Sequence, residues 1–321
     1  MDLSGSKVVL TGGGGFIGSH VVEELSKIRV GEIVVYDNFT RGTRGNLSNV
    51  SKNSNVTLIE GDITDVESLN RNLADADYVI HLAALWLLHC YEYPREAFEV
   101  NIKGTFNVLE ACVNNDVKRL IYSSSASVYG DASFTPMEEN HPFNNRTFYG
   151  ATKIAGEQMC RSFYERYGLD YVGLRYMNVY GPRQDYKGAY TAVMMKMLDM
   201  IDQGKPLPVY GDGSQTYDFI YVGDIAKANI HALTSDATDS FYNVGTGIGT
   251  TIKQMAELLL EITGSNVGID YQPAGQTFVT NRIGSTSLAK IDLGFESEVD
   301  IEKGLSNLIE WRRADIESQK G

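Results

Sequence analysis

The chain has 321 residues, 43% of them hydrophobic, which is ample for the core of one large or two medium domains and excludes a disordered protein. Forty-one acidic against 28 basic side chains give a net charge of -13, so nucleic acid and anionic membrane are not expected as partners: both would repel the whole molecule. No apolar run approaches the roughly 18 residues of a membrane span and the N-terminus has no charged-then-apolar signal, so a soluble cytoplasmic protein is expected.

Lys7 to Thr11 is a run of β-formers that breaks into four glycines, after which Phe16, Ile17, Val21, Val22 and Leu25 recur at helical spacing. Strand, tight turn and helix are predicted in that order. Gly12, Gly15 and Gly18 leave room for the backbone to close on a pyrophosphate at the helix N-terminus, where unpaired N–H groups attract anions. A plain βα turn is the alternative. Ile33 to Asp37 is a second apolar strand, ending in an acid 19 residues after Gly18, the spacing at which a carboxylate meets an adenine-ribose hydroxyl. A 2′-phosphate would be repelled there, which favours NAD over NADP, although Arg41 and Arg44 keep NADP open.

Residues 38 to 54 are polar and read as a loop, and Val56 to Glu60 as a third strand. In Gly61-Asp62-Ile63 a carboxylate beside an apolar residue either meets the adenine or marks a turn. A fourth strand starts at Tyr78 and ends in Leu82-Ala83-Ala84, where small residues admit a cofactor. Trp86 to Cys90 lines a pocket or packs, and packing is the first reading for His89. A single helix is predicted over 94–115, apolar on two faces, with Asn101 either supporting a group near the site or serving as an ordinary buried amide. Cys90, Cys112 and Cys160 lie in apolar stretches without paired or metal-like spacing, so buried free thiols and no metal are expected.

The fifth strand, from Arg119, runs into the serines 123 to 127, and a helix follows over 149–167. Alternating strands and helices imply a parallel sheet wound by right-handed crossovers, with ligands at the carboxyl ends of its strands. Tyr149 and Lys153 stand at i and i+4 on one helix face, and Tyr149 alone of the nineteen tyrosines has a lysine four residues on.

The glycine turn, the serine run and the Tyr149/Lys153 pair together resemble the extended short-chain dehydrogenase/reductase family, most closely its nucleotide-sugar epimerases of the UDP-galactose 4-epimerase type. Further matching strings are Asp37-Asn38, Asn101 to Thr105, Arg175 to Arg183 and Asp218 to Asp224. The resemblance implies an α/β fold: a doubly wound parallel Rossmann sheet with a smaller C-terminal α/β substrate domain. The NAD-binding part would be 1–176 and the substrate part 177–321, a nominal boundary because Phe241 to Asn243 is a strand that returns to the sheet in the relatives. It further implies that Tyr149 is the acid/base, that Lys153 holds the nicotinamide ribose and lowers the phenol's pKa, and that Ser125 bonds the reacting hydroxyl. NAD contacts are expected from Gly12, Gly15, Phe16, Ile17, Gly18, Asp37, Asn38, Asp62 and Ile63. Leu82, Ala83, Ala84, Asn101, Ser123, Tyr149, Lys153 and Tyr176 complete that set.

The implied activity is NAD-dependent epimerisation of a nucleotide-linked sugar at carbon 4. A dehydratase, a decarboxylase and a net oxidoreductase of the same family are the enzymatic rivals, and a non-catalytic NAD-binding module is a further one. After Ser125 the dehydratases carry Asp-Glu and the decarboxylases a Glu, whereas this chain has Ala126-Ser127 and no acid for elimination. Substrate contacts are expected from Ser125, Ser127, Tyr149, Asn178, Arg183, Tyr217 and Arg282. Here the chain departs from its relatives, whose Gly-x-Gln-x-Arg-Asp-Phe segment has its arginine replaced by Tyr217; a second family arginine, in the turn 273–276, is missing too. Arg282 and Arg183 are the nominated replacements, a solvated surface charge being the alternative for Arg282.

In the C-terminal half helices are predicted over 188–203 and 224–233, and a capping box at Thr251 and Gln254 opens another. The methionines 194 to 200 are read as packing. The second apolar faces of 94–115 and 149–167 lack a partner, so a homodimer through these helices is expected.

Overall fold

A computed structural model describes residues 2–186, 193–274 and 279–319. Its strands are β1 (Lys7–Thr11), β2 (Glu32–Asp37), β3 (Val56–Glu60), β4 (Tyr78–His81), β5 (Arg119–Ser125), β6 (Tyr171–Tyr176), β7 (Asn178–Tyr180), β8 (Leu207–Tyr210), β9 (Thr216–Tyr221), β10 (Ser240–Val244), β11 (Gly249–Thr251), β12 (Ile269–Gln272) and β13 (Asn281–Arg282). Seven of them form one sheet in the order β3-β2-β1-β4-β5-β6-β10. Every pairing in it is parallel, with Val8 opposite both Ile33 and Tyr78. The strand order reverses between β1 and β4, and a crevice opens there at the carboxyl ends.

Each strand serves both faces of the sheet by its period of two. Val8, Leu10, Ile33, Val35 and Ile121 pack with Val21, Val22 and Leu25 of helix Phe16–Ser26 and with Ile225 and Ala228 of helix Val222–Thr234. Val9, Val34, Tyr36, Leu120 and Tyr122 face the other way, onto Leu69, Leu73, Val108, Cys112 and Cys160. These last belong to helices Val66–Leu73, Thr105–Asn114 and Phe148–Tyr167. Sheet strands buried on both sides are therefore near-continuously apolar, as a parallel sheet requires.

The expected return to the sheet occurs: β10 pairs with β6 from Ser240↔Val172 to Val244↔Tyr176. The remaining strands make a small sheet, β11-β9-β13 with β7 against β9, and a β8-β12 pair. They share a third core with Met194, Met195, Met197 and Leu198, so the methionines pack as expected. The helix predicted over 188–203 is seen as Val193–Asp202, its first residues lying outside those described, as do residues 275 and 276 of the turn said to lack an arginine. Both bonds of the capping box at Thr251 form.

The helix predicted over 94–115 is broken. It consists of Pro94–Ala97, a wide π-helical turn Phe98–Gly104, and Thr105–Asn114. The inserted turn delivers Asn101 to the backbone of Leu85, a position that regular helical spacing does not reveal. Cys90, Cys112 and Cys160 are free and buried.

Candidate active site

The turn after β1 is fixed by contact. Gly12 has φ +76°, and a Cβ on it would stand 2.6 Å from the Ala83 nitrogen; a Cβ on Gly18 would stand 2.3 Å from the Gly12 oxygen. Helix Phe16–Ser26 starts directly from this turn, its N-cap Gly15 having no side-chain cap bond, so its first N–H groups face the crevice. At the end of β2 the Asp37 carboxylate accepts N–H from Gly14 at 2.8 Å and from Phe39 at 2.8 Å. Burial still pushes its pKa up, against those two bonds. Asn38 donates to Asp62 at 2.8 Å, joining the ends of β2 and β3.

These groups line a cavity of about 770 Å³. Every residue expected at the cofactor lines it, Asn101 excepted. Asn101 is a correction: its amide is buried, accepting from Leu85 N and donating to Leu85 O and Thr152 Oγ1, so its donors and acceptor are taken up by the protein. It positions the segment after β4 instead. Ile63 and the small residues 82 to 84 do line the cavity, as do Trp86 and His89, with His89 also bonded to Glu96 at 2.8 Å.

A second cavity, of about 320 Å³, adjoins the end of β5 and is lined by Ser125, Ser127, Asn178 and Arg282, with Tyr176 common to both. Ser125 Oγ donates to Ser127 Oγ at 3.2 Å and accepts from Ser127 N at 3.1 Å, and its hydroxyl stands near enough to the Tyr149 phenol to favour the phenolate. Tyr149 itself faces the larger cavity, so phenol and serine hydroxyl stand where the two cavities meet. One turn along the same helix, Lys153 Nζ donates to Ser123 O at 2.7 Å and lies 5.8 Å from the Tyr149 ring centre.

Burial dominates the titration here. It pushes the phenol of Tyr149 up to about 12, against the nearby Ser125 hydroxyl and the charges of Arg282 and Arg41. It also pulls Lys153 down to about 8. The expected lowering of the phenol by Lys153 is thus corrected: removing a phenolate from water outweighs the cations around it. His81, held between Thr11 and Thr105, is pulled down to about 3 by burial and is neutral.

Two expected substrate residues lie elsewhere. Arg183 takes positive φ (67°) and pairs with Glu23 of helix Phe16–Ser26, which brings it to the larger cavity. Tyr217 lines neither cavity; its hydroxyl donates to Val279 O at 2.7 Å, and its strand partner is Arg282. Arg282 is no solvated surface charge. It faces the smaller cavity, with one weak bond to Gly130 O at 3.4 Å and a buried Nε that has no partner among the described residues. Met177, Val179, Gln184, Val193, Met194 and Phe219 complete the lining; Met177, Val179 and Phe219 lie in strings that mark the family, while Gln184 and Val193 carried no signal that set them apart in the sequence.

The paired cavities, one with a pyrophosphate cradle and the other with an unsatisfied cation, agree with what known proteins resemble the chain. The model of the NAD dependent epimerase/dehydratase family matches residues 8–245. A UDP-N-acetylglucosamine 4-epimerase from Methanobrevibacter ruminantium M1, solved with UDP-N-acetylmuramic acid, is 36% identical with a TM-score of 0.92, covering 97% of this chain and 99% of that one. A UDP-glucose 4-epimerase from Thermotoga maritima, solved with UDP-glucose, is 35% identical with a TM-score of 0.90, covering 97% and 99%. A UDP-N-acetyl-alpha-D-glucosaminuronate decarboxylase of Bacillus cytotoxicus is 32% identical over 96% of this chain and 98% of its own. With the glycine turn, the Asp37 carboxylate and the Tyr149–Lys153 helix in these places, the chain belongs to the NAD dependent epimerase/dehydratase family.

Proposed function

We propose that the protein epimerises a nucleotide-linked sugar, at carbon 4, through transient oxidation to a ketone. The observation that carries this is the placing of the Ser125 hydroxyl and the Tyr149 phenol at the junction of the two cavities, with Lys153 behind them. Tyr149 is the group that takes the proton of the sugar hydroxyl, and Ser125 orients both. When bound, NAD supplies the hydride acceptor and a positively charged ring beside the phenol. Arg282 and Arg41 act against the burial that pushes the Tyr149 phenol up, and Lys153 Nζ stands 5.8 Å from its ring centre as a further cation. The ketone turns over in the cavity; its carbon regains the hydride on the opposite face while Tyr149 returns the proton to the oxygen, and the change of face inverts the carbon.

Elimination needs an acid next to the reacting serine, and Ala126-Ser127 offers none; Ser127 instead turns its hydroxyl to Ser125. The relative that decarboxylates its substrate makes loss of carbon dioxide the reading to exclude. Incubating the purified protein with a panel of nucleotide sugars tests this. A product of unchanged mass and no lasting NADH is expected, and loss of water or carbon dioxide in the mass spectrum refutes the assignment.

For the substrate's diphosphate, Arg282 is the favoured cation, since its guanidinium borders the cavity with donors to spare. The same reading includes a cytoplasmic homodimer. Phe98, Phe106 and Tyr167 stay 48%, 42% and 50% exposed along the helices expected to pair, and covering them is the natural use of that face. Sedimentation at micromolar concentration should give a dimer, and a monomer contradicts the pairing.

A further inference from the structure

We infer that Arg41 is a strap across the cofactor crevice, which holds the middle of the bound dinucleotide and retains it between turnovers. In the sheet β1 lies between β2 and β4, so the loops after β2 and β4 stand on opposite sides of the glycine turn. Arg41 belongs to the first loop and Trp86 to the second. The Arg41 guanidinium nevertheless lies over the Trp86 ring, 4.1 Å from its centre, so the side chain passes over the turn from which the helix N–H groups project.

Both ends of this bridge are anchored. At the near end Gly42 packs on the turn itself, where a Cβ would stand 2.7 Å from the Gly14 carbonyl carbon, and Thr43 N and Asn46 Nδ2 both donate to Gly14 O, at 3.0 and 2.9 Å. At the far end the guanidinium stacks on Trp86 and stands 3.8 Å from an Asp185 oxygen. Arg41, Trp86 and Asp185 all line the larger cavity. A guanidinium carries five N–H donors, and a ring face with one carboxylate at that distance does not use them up. Trp86 Nε1 is a further buried donor without a partner among the described residues.

Charge assigns these donors to the pyrophosphate. Asp37, Asp62 and Asp185 give the crevice walls negative charge, while of the other cations lining it Lys153 is bonded to Ser123 O, Arg183 is paired with Glu23 and Arg95 is exposed beside Glu96. A dinucleotide adds two phosphate charges at the centre of this groove, beneath the path of Arg41. Since hydride returns to the substrate within one cycle, the cofactor has no need to leave, and a strap that slows its release suits the chemistry.

The test uses protein loaded with NADH, mixed with excess NAD, and reads the dissociation rate from the fluorescence of bound NADH. Arg41→Ser and Trp86→Leu should each speed release roughly tenfold, within the range of a partly desolvated cation–π contact. The double variant should be no faster than either single one, because the two residues form one contact. Arg44→Ser is the control in the same loop: Arg44 pairs with Glu60 and stacks on Phe39, away from the cavity lining, and should release NADH at the parent rate. Parent-like release from both single variants overturns the inference, as do strictly additive effects. Unchanged release with a raised KM for the nucleotide sugar overturns it too, by placing Arg41 on the substrate. NADH retention by the parent is read in the same experiment, so failure of the cofactor assignment is distinguishable from failure of the strap.

Discussion

The two cavities that meet at Tyr149 are built of different material. The larger one is built around backbone: a glycine turn, the uncapped start of a helix, and strand ends, with side chains such as Asp37, Arg41 and Trp86 along its walls. The smaller one is made of side chains from distant segments, with Ser125 on β5, Asn178 on β7, Phe219 on β9 and Arg282 on β13. Backbone recognises what all dinucleotides share, whereas side chains can change one at a time. A family built this way keeps its cofactor and varies its substrate, and the difference teaches where each kind of substitution acts.

Substitution at the junction should separate chemistry from both kinds of binding. Tyr149→Phe keeps the ring and removes the proton acceptor, so turnover should fall by roughly 10²–10⁴-fold, while NAD and substrate still bind in calorimetry. Near-parental turnover would remove Tyr149 from the mechanism. On the side-chain half, Arg282→Ala should weaken substrate binding by about 1.5–3 kcal/mol, the scale of a charged hydrogen bond, with NAD affinity unchanged. A variant that binds substrate like the parent would show that this cavity holds no anion at Arg282. On the backbone half, Gly18→Ala places a methyl 2.3 Å from the Gly12 oxygen and must displace the turn. A stability loss of about 1–3 kcal/mol with weakened NAD binding is expected from melting curves and calorimetry. Equal loss of substrate and NAD affinity would mean that the two halves are not separable.

This contrast also governs what could be read in advance. The places of Gly12, Gly18, Asp37 and the Tyr149/Lys153 pair were legible because they follow from short-range spacing on a strand, a turn or a helix face. The return of β10 and the packing of the methionines were legible from apolar pattern. Asn101 supports the Leu85 backbone beside the cavity rather than lining it, because a π-helical turn interrupts the regular period, and Arg183, itself at positive φ, pairs with Glu23 and lines the larger cavity. Asp218 and Asp224 belong to a string that marks the family, and their carboxylates cap backbone N–H groups of residues 246–247 and 298–299. Part of what identifies the fold thus secures the substrate half rather than touching substrate. Gln184 and Val193 gave no warning, since a cavity assembled from separate segments leaves no local pattern.

The place of β10 beside β6 has a consequence for how the chain acquires its structure. The outermost strand of the sheet is supplied by residues 240–244, after the chain has passed through β7, β8 and β9. During synthesis β6 therefore remains an open edge until more than sixty further residues (from 176 to 240) have emerged, and an unpaired apolar edge is a template for wrong partners. The sheet and the substrate half are completed together, and cutting the chain at residue 176 would strip β6 of its neighbour.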